Sequence, residues 1–88
     1  MKKSKKERIL EMLDIPKEVV LDLPKVTIYS DNQVVVENYS GLLEYTSESI
    51  RLKTSGKSIA VKGSGLELRT VTDIDVLVEG QIKSVEFI

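Results

Sequence analysis

The chain has 88 residues, 41% of them apolar and 31% charged, with a formal net charge of −1. That is the composition of a soluble globular domain, and at this length its core is thin. There is no His, Cys or Trp, which excludes thiolate nucleophiles, disulfides, Cys- or His-ligated zinc, and every Ser–His or Cys–His catalytic pair.

Charge is concentrated at the start. Residues 1–8 hold Lys2, Lys3, Lys5, Lys6 and Arg8 against Glu7 alone, while the rest of the chain is acidic. These five cations are the candidate contact with an anionic surface such as lipid; the plain alternative is a solubilising terminus. Residues 4–13 read as one short helix. Ser4 and Glu7 have capping-box spacing, and Ile9, Leu10, Met12 and Leu13 form one apolar stripe. So short a helix is marginal alone, so the stripe is a candidate docking surface, normally for the body of the domain itself. Glu11 and Asp14 interrupt the apolar run, which fails as a signal peptide, and no run is long enough to span a membrane. The chain is therefore expected to stay in the cytoplasm.

Pro16 and Pro24 bracket a packed apolar connector with Val19, Val20, Leu21 and Leu23. From Val26 onward the pattern is β. Short alternating runs at 26–29, 34–36, 42–46, 50–53, 59–62, 66–69, 74–79 and 82–88 are separated by Asp31-Asn32, residues 38–41, Ser55-Gly56-Lys57, Gly63-Ser64-Gly65 and Gly80. Crossover helices have no room. The expected fold is mostly β: a short N-terminal helix, then a compact antiparallel meander forming a small sandwich or roll. A short β-solenoid is the alternative, although Gly41 to Gly56 and Gly65 to Gly80 do not align as repeats. Residues 1–25 are read as basic arm, helix and connector, and residues 26–88 as a single all-β domain.

The catalytic look-alikes fail on spacing. Gly56-Lys57-Ser58 lacks the earlier glycine of a phosphate-binding loop, since position 51 is Arg51. Gly63 and Gly65 lack the third glycine of a dinucleotide fingerprint, since position 68 is Leu68. Asp73 and Asp75, with Glu79 further along, offer too few oxygens for a calcium or magnesium site and read as a solvated sheet face. With only Tyr29, Tyr39, Tyr45 and Phe87 as aromatics on an acidic body, neither a sugar cleft nor a base-stacking surface is expected. No catalytic, cofactor or metal residue is assigned. No cofactor, small-molecule substrate or sequence-specific nucleic acid is expected.

Two proline-containing stretches, Leu13-Asp14-Ile15-Pro16-Lys17-Glu18-Val19 and Leu21-Asp22-Leu23-Pro24-Lys25-Val26, are more distinctive than any of these motifs. With Val36-Glu37-Asn38-Tyr39-x-Gly41, Ile50-Arg51-Leu52, Val61-Lys62-Gly63 and Val78-Glu79-Gly80-x-Ile82, the chain resembles the YabP/YqfC family of endospore sporulation proteins, in its YqfC-like form, over residues 8–88. The resemblance implies a non-enzymatic protein made in the mother cell during sporulation and contributing to spore assembly around the forespore. It transfers no catalytic or metal residue. The expected role is an adaptor or structural component at the forespore surface. Its expected partner is a sporulation membrane protein, with peripheral contact to an anionic membrane through the basic arm and self-association through a sheet edge as a structural variant. A peptide- or protein-binding β module unrelated to sporulation is the alternative.

Overall fold

A computed structural model describes residues 23–88. The expected helix over 4–13 and most of the connector lie outside the described residues. The described chain forms six strands: β1 (Lys25–Tyr29), β2 (Gln33–Glu37), β3 (Tyr39–Tyr45), β4 (Ser49–Thr54), β5 (Ile59–Val71) and β6 (Asp75–Phe87). They make one sheet in the order β1-β2-β6-β5-β4-β3, and every pair in it is antiparallel. The all-β antiparallel class is as the sequence leads one to expect. The solenoid alternative is excluded by the antiparallel pairing.

The strand order dictates the shape. β2 and β3 are four strand positions apart, which in a flat sheet is about 19 Å. Yet only Asn38 separates Glu37 from Tyr39, and two Cα steps span at most about 7 Å. The sheet must therefore curl until β3 returns beside the end of β2. Asn38 turns this corner with φ of 64°, a left-handed conformation that Asn tolerates better than most residues. Its N–H and that of Tyr39 both donate to the Ile74 carbonyl, at 2.7 and 3.3 Å.

The fold line runs through the β5–β6 hairpin. Both strands are 13 residues long, although the glycines predict separate shorter strands. Gly63, Ser64 and Gly65 do not end a strand; they form a bulge inside β5, where the register to β6 shifts. A bulge bends and twists its strand without breaking the ladder. Two backbones meet closely here. A Cβ on Gly63 would fall on the Gln81 carbonyl, and a Cβ on Gly80 would sit 2.7 Å from the Gly65 carbonyl oxygen. Gly80 also has φ of 142°, a conformation that L side chains rarely adopt.

The bend divides the sheet into two layers. The first holds β1, β2, residues 75–79 of β6 and residues 66–71 of β5. The second holds residues 81–87 of β6, residues 59–64 of β5, β4 and β3. Alternate residues from both meet in one core: Val34, Val36, Val76, Val78 and Leu66 from the first layer, and Ile50, Leu52, Ile59 and Val61 from the second. All nine are at most 2% exposed. Burying a branched side chain of this size stabilises by about 1.5–3 kcal/mol, so the core is what holds the fold line closed.

Candidate interaction site

Curling a sheet does not pair its edges. β3 and residues 66–71 of β5 face one another across one side of the roll. Main-chain bonds join them only at the ends, Tyr39 N–H to the Ile74 carbonyl at 3.3 Å and Leu66 N–H to the Ser47 carbonyl at 2.8 Å. Between these, side chains, not a backbone ladder, bridge them. The Tyr39 hydroxyl donates to the Thr72 carbonyl at 2.6 Å, and the Leu68 N–H donates to the Tyr45 hydroxyl at 3.1 Å. Register explains how both tyrosines reach. Tyr39, Leu42 and Tyr45 pair with Thr54, Leu52 and Ile50, which are all buried, so all three lie on the core side of β3. On an edge strand that side hangs over the mouth of the roll.

The lips of this seam are apolar and only half covered. Leu42 is 48% exposed and Tyr45 49%; Val71 and Ile74 opposite are 57% and 58% exposed. Neighbouring Leu43 is also exposed. Half-exposed apolar side chains on both lips, beside two unladdered strand edges, are the usual mark of a protein-docking surface. It offers both side-chain pockets and main-chain groups to an incoming strand.

The sequence did not reveal this site. Two register shifts in β3, between Tyr39 and Gly41 and between Leu42 and Glu44, place core-side residues at a spacing of three. A period of two passes over that spacing, and adjacent Leu42 and Leu43 read only as a generic strand. The candidate contacts that the sequence does suggest, Lys2, Lys3, Lys5, Lys6 and Arg8 with the stripe Ile9, Leu10, Met12 and Leu13, lie outside the described residues.

The other motifs resolve as local structure. Gly56 and Lys57 sit in the β4–β5 hairpin, where the Thr54 hydroxyl donates to the Lys57 carbonyl at 2.7 Å and accepts from the Gly56 N–H at 3.0 Å. Asp73 lies in the β5–β6 turn, not on a strand. Asp75 opens β6 opposite Glu37, and Glu79 lies on the same outward face. Glu79 is held by the Gln33 amide at 2.7 Å and the Arg69 guanidinium at 3.0 Å. Among the described residues no group of three carboxylates is arranged to hold a metal ion, and no helix is long and apolar enough to cross a membrane.

The YabP family model matches residues 22–88. The chain belongs to the YabP family. The matched region includes every strand of the roll, the close approaches of Gly63 to Gln81 and of Gly65 to Gly80, and both tyrosines of the seam. Among curated proteins, the uncharacterized protein YqfC of Bacillus subtilis (strain 168) is 28% identical over 76 residues, covering 86% of this chain and 82% of that protein. No solved structure matches the chain.

Proposed function

We propose that this YabP-family protein is a non-enzymatic assembly factor of endospore formation. It acts in the mother-cell cytoplasm, at the outer membrane of the forespore, as an adaptor for a membrane protein of the same programme. The observation that carries the reading is the seam between β3 and β5, an apolar lip half exposed on both sides and fastened by two hydroxyls. Such a surface suits a partner segment that lays apolar side chains against Leu42, Val71 and Ile74. A lack of His and Cys leaves little nucleophilic or general-base chemistry for an enzymatic role. The resemblance to sporulation proteins supplies the biological setting, and the basic arm suits an anionic membrane nearby.

The test uses the tagged full chain in a spore-forming host. Capture from sporulating and growing cells is compared for the unaltered chain and for Leu42→Glu, with heat-resistant spores counted in parallel. A membrane protein captured only during sporulation, lost with Leu42→Glu together with spore yield, supports the role. Equal capture from growing cells, or full spore yield without the protein, overturns it.

A further inference from the structure

The outer face of the first layer is organised in rows. Register places Thr27, Val35, Leu77 and Thr70 in one row across β1, β2, β6 and β5. On one side of it runs Lys25, Glu37 and Asp75; on the other, Tyr29, Gln33, Glu79 and Glu67. Val35 and Leu77 are half-buried, with no layer of described residues over them. Four carboxylates thus flank an apolar row, against the two cations Lys25 and Arg69. The second layer has the opposite bias, with Arg51, Lys53 and Lys62 outward against Glu44 and Glu86.

We propose that the acid-flanked outer face of the first layer is the docking site of the chain's own basic segment, residues 5–13. Three observations converge on this occupant. The segment is complementary in kind: Lys5, Lys6 and Arg8 precede the apolar residues Ile9, Leu10, Met12 and Leu13. Its width fits. The two acidic rows are four residues apart along each strand, about 13 Å, and a helix with side chains is about 10–12 Å across. It is also tethered at the right place. The Leu23 carbonyl accepts from Asn38 Nδ2 at 2.8 Å, and Lys25 pairs with Glu37, so the chain enters this layer beside the Glu37–Asp75 row. The nine residues 14–22 reach about 30 Å when extended, enough to cross the layer.

Docked there, the stripe covers Val35 and Leu77 while the cations meet the carboxylates on either side. The same cations are then unavailable to a membrane, so docking and membrane contact exclude one another. The inference does not rest on the assembly role, and its failure leaves that role standing.

Because the chain has no cysteine, paired cysteines report the geometry cleanly. The full chain carrying Leu10→Cys with Thr27→Cys is compared with Leu10→Cys and Lys53→Cys, which sits on the outer face of the second layer. Disulfide formation is followed at low salt, and folding is checked by circular dichroism. Tethered proximity predicts a monomer-sized disulfide forming about tenfold faster in the first pair, slowed by adding Glu37→Lys and Asp75→Lys. Equal rates in the two pairs, a dimer-sized product, or indifference to charge reversal overturns the proposal.

Discussion

On one side of the roll, Tyr39 and Tyr45 cross from β3 to the backbone of β5 and of Thr72 just beyond it. On the other, the turn between β1 and β2 reaches β6 through its main chain: the Gly80 N–H donates to the Asn32 carbonyl at 3.1 Å and the Ile82 N–H to the Asp31 carbonyl at 2.7 Å. The second arrangement extends the β2–β6 ladder back beyond Gln33, the first residue of β2, and any side chain at those positions leaves the carbonyls in place. The first has main-chain bonds only at its ends, from the Tyr39 N–H to the Ile74 carbonyl and from the Leu66 N–H to the Ser47 carbonyl, and between them it depends on two particular phenols. One side is thus held throughout by groups that every residue carries, and the middle of the other by groups that a single substitution removes. The replaceable side is also the one with the exposed apolar lip, which is where a partner can compete.

That contrast is broken most severely at the bend both sides share. Gly63→Val puts side-chain atoms onto the Gln81 backbone, which cannot move without opening the hairpin. A cost of about 3 kcal/mol or more is expected, a large share of the roughly 5–15 kcal/mol that stabilises a typical domain. Thermal denaturation followed by circular dichroism should show a lost or broadened transition. Truncating the core comes next. Val36→Ala in the first layer and Ile50→Ala in the second are each expected to cost about 2–4 kcal/mol in urea unfolding. Both should lower a single cooperative transition, because both fill the same core. Two separate transitions would show that the layers unfold independently.

The two sides then separate. Tyr39→Phe removes one exposed hydrogen bond of the seam and is expected to cost about 0.5–1.5 kcal/mol, with Tyr45→Phe at the low end. Hydrogen exchange at residues 68–72 should rise more than exchange in β2. Asp31→Ala is expected to change stability least, by about 0.5 kcal/mol or less. It removes two exposed contacts, with the Gln81 amide at 3.2 Å and the Ser30 hydroxyl at 3.4 Å, while the main-chain carbonyl that receives Ile82 stays. If Asp31→Ala proved costlier than Tyr39→Phe in the same urea titration, the contrast between the sides would be reversed.

Much of the fold is legible in the residues. Alternation in Ile50-Arg51-Leu52 marks the core face that the structure buries, Val34-Val35-Val36 marks a strand without saying which face is core, and turn chemistry at Asp31-Asn32 and Gly56-Lys57 places two hairpins. The glycines mislead. Gly63, Gly65 and Gly80 read as chain reversals, because a glycine between two apolar runs looks the same in a turn and in a bulge. What distinguishes them is the approach of Gly63 to Gln81 and of Gly65 to Gly80, partners 18 and 15 residues away in the chain. The seam was illegible for a related reason: bulges in β3 change the side-chain period from two to three.

By itself the sequence determined the class of structure and excluded much chemistry. Alternation fixes which side chains can share a sheet face, and the missing His and Cys leave no imidazole or thiol anywhere in the chain. Only the tertiary structure decided that β6 lies between β2 and β5, that the sheet folds at three glycines, and that two tyrosines close one side. Those outcomes depend on contacts between residues far apart in the chain. Strand pairing is nearly indifferent to which strand supplies the backbone groups, so local pattern cannot choose the partner. Burial of one common core by two halves of a bent hairpin can.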